Sequence, residues 1–425
     1  MDVSSTDVAG LLDAAKRARG DVAAALFDRI LAVEPNHAIA LNGRGMVALA
    51  DDPNAAIGFF RRAAEADPQA PALRINLATA ARAVGDRVLE RTALLAALDC
   101  DQRHLMALVR LAELHERCGE DAEAAARWSA VLAVGHMMTD KPVALGPILA
   151  KAAAYVAART RHLADAVGTA LAVDHDATAR RRVATGIDAM LGGRRIYVNE
   201  CSGLHIPFLP ADEFFARDQF PWLADIEAQT SAIRDEFLRL YAQDGTAAAF
   251  RPYVEMPSGT PDNRWSPLDG SSDWSALHLY RHGVRDEAVC ARCPATAAAL
   301  AASPLPQLPG RAPTALFSVL RPHTRIPPHT GVSNMRATVH LPLVVPPGCG
   351  FRVGGETREW EVGRAFVFDD TIEHEAWNDS DEVRAILIFD AWNPHLCDDE
   401  RAMVATFFAT TDRLRGHGFK TDFGE

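Results

Sequence analysis

His329 follows a Pro-rich turn in RPHTRIPPHTG, His374 stands 45 residues later between two apolar β-type runs, and Arg384 opens the run RAILIFDAW. Side chains alternate faces of a strand with period two, so in a sheet rolled into a small barrel such residues can converge on one interior spot. Imidazoles at that spot suit a metal, and an arginine deeper in the barrel suits the far carboxylate of a small diacid. A single His in a β-rich domain is ordinarily a hydrogen-bonded structural residue. The conjunction argues otherwise: a His pair, a third histidine (His340) in phase with it, and an Arg within an apolar strand. Burying a lone guanidinium costs several kcal/mol, so Arg384 calls for an anionic partner. Asp369, Asp370, Glu373 and Glu375 are candidates, and a bound organic carboxylate would serve equally.

The positioning elements follow from the same alternation. In PTALFSVL, Ser318 shares a face with Leu316 and Leu320; on the next strand Arg336, Thr338 and His340 share one; and Arg384 shares one with Ile386 and Ile388. FRVGGETREWEVGRAFVFDD reads as a hairpin turning at Gly354-Gly355 and then a strand. Asp369 or Asp370, just before His374, is expected to orient an imidazole. Upstream, PWLADIEAQTSAIRDEFLRLYAQ has helical spacing, and RPYVEMPSGTPDNRWSPLDGSSDW is a long Gly/Pro/Asp-rich loop. Such a loop, directly before the strand WSALHLYRHG, is expected to shape or cover a site, with Trp265 and Trp274 on the approach. ATAAALAAS reads as a helix separating that strand from the barrel proper, and the terminal RAMVATFFATTDRLRGH as a helix packed outside the barrel.

These residues carry a resemblance. PHTGVSN around His329, HLPLVVPPGC from His340, FDDTIEHEAWN around His374 and VRAILIFDAWNP around Arg384 resemble the core of the aspartyl/asparaginyl β-hydroxylase family. Weaker matches lie upstream, so the resemblance spans about 220 residues. It implies a double-stranded β-helix (jelly-roll, cupin-like) with flanking helices, and an Fe(II)- and 2-oxoglutarate-dependent dioxygenase. Under it, His329 and His374 are the iron ligands, Ser318 and Arg384 hold the distal carboxylate of 2-oxoglutarate, and His340 lies beside that cosubstrate. The slot that carries a third, carboxylate ligand in many non-haem oxygenases is Gly331 here, as in the resembled family. One departure stands out: an arginine usual nine residues after the first histidine is Thr338, with Arg336 two residues earlier on the same face. Arg336 and Thr338 are thus the expected substrate-contacting pair, and a hydroxyl cannot replace a bidentate guanidinium toward an acidic side chain.

The chain as a whole reads as α and β domains in series, a helical array at 1–192 and the β-helix unit at 193–425. In the first, Glu34-Pro35-Asn36, Asp67-Pro68-Gln69 and Cys100-Asp101-Gln102 recur at intervals of 33, with turn positions Gly20, Asp52, Gly85 and Gly119 between them. Helix, turn, helix, Pro at that period resembles tetratricopeptide repeats. Stacked helix pairs leave a concave groove fit for peptide or protein docking, or form a rigid spacer or a dimerisation surface. Residues from about 140 to 190 read as capping helices, with Arg180-Arg181-Arg182 on a solvated face.

The net charge of −12 argues against a nucleic-acid binder. No apolar run is long enough to span a bilayer and the first residues lack a signal-peptide pattern, so the expected location is the cytoplasm. Seven scattered cysteines form no disulfide framework, and Cys290-Ala-Arg-Cys293 reads as two ordinary thiols. Three functions compete. The first is hydroxylation of an Asp- or Asn-type side chain in a peptide or protein that the repeats bring in. The second is the same chemistry on a small molecule or lipid acyl chain. The third is a repeat-based scaffold with an inactive barrel, against which the full set of site residues argues.

Overall fold

The computed structural model describes residues 5–244 and 250–415, in two compact units, 1–191 and 192–425. The last two residues of the terminal run RAMVATFFATTDRLRGH lie outside the described residues.

In the first unit the repeat appears as helix pairs. They are α1 (Ser5–Arg17) with α2 (Gly20–Val33), α3 (Ala38–Ala48) with α4 (Pro53–Ala66), α5 (Pro71–Ala83) with α6 (Arg87–Cys100), and α7 (Leu105–Cys118) with α8 (Asp121–Met137). Local chemistry starts five of them, α3 to α7. The Asp52 and Asp86 carboxylates accept from the amides of Ala55 and Leu89 at 3.0 and 2.9 Å, and His37 and His104 cap α3 and α7 in the same way. Pro53 and Pro71 occupy first-turn positions that need no amide, and Gly119 ends α7 at φ 71°. Small residues at one position of the first helices, Gly45, Ala78 and Ala112, are buried and let the pairs close. A Cβ on Gly45 would meet the Phe60 ring at 2.7 Å. This is the tetratricopeptide-like solenoid. It is followed by α9 (Leu145–Asp174), a single helix of 30 residues, and α10 (Ala177–Met190). Among the described residues no helix is long and apolar enough to cross a membrane.

The second unit opens with an irregular, Pro-bearing run. Where one helix was expected from Pro221 to Gln243, there are two, α11 (Leu223–Glu227) and α12 (Thr230–Asp244). The break coincides with the Thr230 hydroxyl donating to the Glu227 carbonyl at 2.6 Å while Glu227's side chain is drawn to the amide of Ala365. Among the described residues eleven strands follow: β1 (Arg251–Pro252), β2 (Trp274–Arg281), β3 (Val284–Arg285), β4 (Ala315–Leu320), β5 (Thr324–His329), β6 (Arg336–Val344), β7 (Cys349–Val353), β8 (Glu356–Arg358), β9 (Phe366–Phe368), β10 (His374–Asn378) and β11 (Arg384–Trp392). The larger sheet runs β1-β2-β4-β11-β6-β9, with β3 on β2, and the smaller runs β5-β10-β7-β8. All pairings are antiparallel, giving the two-sheet β-helix.

The central strands of the larger sheet are buried on both faces. Phe317, Val319, Leu341, Leu387 and Phe389 pack with Phe237 and Leu240 of α12 and Leu300 of the helix Pro294–Ala302. The alternate residues Leu320, Ile386 and Trp274 face the smaller sheet's Phe351, Val353 and Ile326. RAILIFDAW is therefore apolar throughout because each face has its own core, yet it keeps polar groups at Arg384 and Asp390 for a cavity between the sheets.

Gly45→Val should crowd the Phe60 ring and cost about 1–3 kcal/mol. Gly58→Ala, on the exposed side of α4 with no heavy atom within 4 Å of its Cβ, should instead gain about 0.5–1 kcal/mol. Urea titration followed by far-UV circular dichroism of the helical transition separates the two.

Candidate active site

The cavity between the sheets encloses about 250 Å³. Ser318, His329, Arg336, Thr338, His340, His374 and Arg384, singled out above, all line it.

The two histidines are direct cross-strand partners in the smaller sheet, at the end of β5 and the start of β10. Their ring centroids lie 4.0 Å apart. Each is oriented by the backbone two residues before it. His329 Nδ1 lies 2.8 Å from the Pro327 carbonyl oxygen and His374 Nδ1 lies 3.0 Å from that of Ile372. A carbonyl only accepts, so Nδ1 carries the proton in both rings and each Nε2 is left with a free lone pair. Burial pushes the His329 imidazole down to about 4 and also lowers that of His374, where the neighbouring His329 adds to the effect. Both rings are therefore neutral near pH 7, the state that ligates a metal.

Asp369 and Asp370 do not orient the imidazoles, contrary to expectation. Asp369 is fully buried and accepts from the Thr371 amide and hydroxyl and from Asn199. Asp370 lies across the cavity wall against Gly331. A Cβ on Gly331 would overlap the Asp370 carboxylate, so a carboxylate at 331 and the observed Asp370 exclude one another. Burial pushes the Asp370 carboxyl up to about 7 against the opposing pull of Arg336, and its Oδ1 is buried with no hydrogen-bond partner. Among the described residues, no group of three or more His, Cys, Asp or Glu side chains is placed to hold a metal.

At the other end of the cavity Arg384 is 1% exposed. Its Nη1 donates to Ser318 Oγ at 3.4 Å, its guanidinium lies 4.8 Å from the centre of the Trp360 ring, and its Nε has no partner. None of the sequence candidates pairs with it: Glu373 and Glu375 both hold Arg352. Among the described residues no carboxylate lies within ion-pair distance of Arg384, and burial pushes its pKa down to about 10. His340 stands nearby, its pKa lowered by burial first and by Arg384 second.

Two tryptophans have roles that residue type did not disclose. Trp274, expected on the approach, is 5% exposed within the cavity and donates its Nε1 to Ser318 Oγ at 3.2 Å. Trp360, assigned nothing above, lies under Arg384 and donates to His340 Nδ1 at 3.4 Å. Trp265 does come from the long loop: its ring sits edge-on to His329 at 5.0 Å, while Arg264 donates to the Pro328 carbonyl at 2.6 Å. Cys290 and Cys293 are buried free thiols, the latter pushed up to about 12 by burial.

A sequence model of the family described as aspartyl/asparaginyl beta-hydroxylase matches residues 227–394. The human aspartyl/asparaginyl beta-hydroxylase is 40% identical over 178 residues, 41% of this chain and 22% of that protein. The ornithine lipid ester-linked acyl 2-hydroxylase of Rhizobium tropici is 32% identical over 179 residues, 41% of this chain and 58% of that protein. The chain thus spans about a fifth of the first of these relatives and under two thirds of the second. Among solved structures, YrrB, a TPR protein with an unusual peptide-binding site, aligns at 20% identity over 42% of this chain and 86% of its own, with a TM-score of 0.28. The tetratricopeptide-like assignment rests on the helix pairs themselves, and over residues 227–394 the chain is similar to the aspartyl/asparaginyl β-hydroxylase family.

Proposed function

We propose that the C-terminal unit is an Fe(II)- and 2-oxoglutarate-dependent dioxygenase that hydroxylates an Asp- or Asn-type side chain of a peptide or protein. The observation that carries this reading is Arg384, a cation held out of water with a hydroxyl, an aromatic face and an unpartnered Nε around it. A dicarboxylic cosubstrate supplies the missing anion, with Ser318 and Arg384 on its distal carboxylate and His340 beside it. His329 and His374 would hold the metal through Nε2, the two nitrogens left free by the Nδ1 contacts. When bound, Fe(II) would supply activation of dioxygen, one oxygen atom entering the C–H bond and the other entering succinate as 2-oxoglutarate is oxidatively decarboxylated with release of carbon dioxide.

The chain's own contribution is placement and exclusion. Trp274 fixes the Ser318 hydroxyl, Trp360 covers Arg384 and His340, and Trp265 closes the side of His329, so the reacting region is walled by aromatic surface. The far wall is polar, with Thr314, Arg336, Thr338, Asp370 and Asp390. A lipid acyl chain would leave those groups desolvated without partners, a cost that a polar side chain avoids. That favours the peptide reading over the acyl one. In the repeat array, Asn42, Asn76 and Arg110 recur at intervals of 34 on successive first helices, with Asn76 donating to Asn42 at 2.7 Å. We assign that ladder the docking of the peptide.

Anaerobic calorimetry with Fe(II) and 2-oxoglutarate, followed by succinate release, tests the proposal. Arg384→Met should weaken 2-oxoglutarate binding by about 100-fold or more while metal binding survives, since a buried charge-assisted pair is lost. His374→Ala should abolish metal binding and succinate formation together. Wild-type protein that binds neither metal nor keto acid would refute the proposal. Because His329 and His374 are already neutral well below pH 6.5, Co(II) affinity should change little between pH 7.5 and 5.5; two ordinary imidazoles would lose about a hundredfold over that range. Gly331→Asp should fail to add a ligand and should weaken Co(II) binding, because Asp370 fills the space, and pairing it with Asp370→Gly should restore binding.

A further inference from the structure

Residues 199–206 form no helix or strand, and they precede the segment 227–394 that the family model matches. They run nonetheless along both loops that carry the histidines. On the His374 side, Asn199 Nδ2 donates to Asp369 Oδ2 at 2.7 Å and to Thr371 Oγ1 at 3.0 Å, and the Glu200 amide donates to the Thr371 carbonyl at 2.8 Å. Asp369 closes the turn that ends in Ile372, accepting from the Thr371 amide and hydroxyl through its side chain and from the Ile372 amide through its carbonyl. Ile372 supplies the carbonyl that His374 Nδ1 faces. On the His329 side, the Gly203 amide donates to the Val332 carbonyl at 2.8 Å and Ser333 Oγ donates to the Leu204 carbonyl. The Asn334 carboxamide bridges the Ile206 backbone, accepting from its amide at 2.8 Å and donating to its carbonyl at 2.9 Å. Between the two sides, the Gly331 amide donates to the Asp370 carbonyl at 2.6 Å, so both loops and the segment across them form one closed network.

A segment that only covered apolar surface would not need these bonds. Leu204 and Ile206 already pack in a cluster with Leu308, Met335, Leu396 and Phe408. Yet Asn334, Asp369 and Thr371, all fully buried, direct their hydrogen bonds to this segment and to one another. Buried polar networks contribute modest net stability but fix one arrangement, since any other leaves their groups unpaired. What this network fixes is the spacing of two imidazoles that come from different strands and whose Nδ1 partners are backbone carbonyls. We propose that residues 199–206 are a strap that sets the metal-binding geometry of the His329–His374 pair, with Asn199 and Asn334 as its positioning residues. This rests on the metal-binding part of the reading above and adds to it residues that do not line the cavity.

The test uses the full chain, first without metal and then with Co(II). In the metal-free protein, hydrogen exchange read by mass spectrometry should show Asn199→Ala and Asn334→Ala accelerating exchange at 330–334 and 369–373 while peptides of β4 and β11 stay protected. Calorimetry should show each variant binding Co(II) about tenfold or more weakly, the loss that follows when the contacts supporting a ligand go, and the Co(II) absorption bands should shift with the changed ligand angle. Glu236→Ala is the control. Its carboxylate accepts from the amides of Ala295 and Thr296 and from the Thr296 hydroxyl, so its removal takes comparable buried contacts from the same unit away from the histidines, and Co(II) binding should hold. Ser333→Ala, which removes one contact to the Leu204 carbonyl, replaces Asn334→Ala if that variant does not fold. Strap variants that bind Co(II) with wild-type affinity and spectrum, or a control that loses as much, would overturn the inference and leave the oxygenase reading intact. Wild-type protein that binds no Co(II) refutes the metal site itself, and the inference with it.

Discussion

A guanidinium that is 1% exposed, with a hydroxyl at 3.4 Å and a tryptophan ring at 4.8 Å but no carboxylate, is a cation the fold has desolvated without neutralising. Replacing such a group with an apolar residue of similar size would ordinarily stabilise a protein. Its presence in the middle of a sandwich therefore sets conditions on everything around it. The sheets must stand far enough apart to admit an anion, and the remaining surfaces must bury enough apolar area to offset the penalty.

The second condition explains the helices on the outside of the larger sheet. Because the inner face of β4, β6 and β11 is given over to Ser318, Arg336, Thr338, His340, Arg384 and Asp390, it cannot supply the bulk of the core. The outer face does, through Phe317, Val319, Leu341, Leu387 and Phe389 against Phe237, Leu240 and Leu300. Around the histidines the inner core is aromatic: Phe351 and Phe368 lie within 6 Å of the His374 ring, and Phe351 and Trp360 flank His340. Low polarity there keeps the imidazoles neutral and strengthens whatever electrostatic contact the cavity makes. The same burial that taxes Arg384 thus prepares the histidines.

Much of this arrangement was legible along the chain, because strand alternation is local. Period two groups Ser318 with Leu316 and Leu320, His340 with Arg336 and Thr338, and Arg384 with Ile386 and Ile388, and the closure of the two sheets turns those faces toward the cavity. The 33-residue recurrence around Pro35 and Pro68 likewise fixes the helix pairs, since each turn and cap is written in a few adjacent residues. Features that depend on long-range pairing or on the backbone were hidden. Nothing in the residue types says that His329 and His374 are cross-strand partners, or that carbonyls at 327 and 372, rather than Asp369 or Asp370, hold their Nδ1 protons. Trp360 was invisible for the same reason: it comes from a short connection after β8, and only the sheet closure brings it beneath Arg384.

Gly331 and Asp370 show how one missing Cβ reorganises the chemistry of both ends. Were residue 331 to carry a side chain, the Asp370 carboxylate would have to leave the wall, and its unpartnered Oδ1 would leave with it. Glycine at 331 therefore does more than withhold a ligand beside His329. It makes room for an acid that faces the polar wall, next to an Arg336 already balanced by Asp390. On the proposed reading, the number of protein groups available to a metal and the charge presented to a substrate would be set by the same few cubic ångströms, so neither could be altered without altering the other.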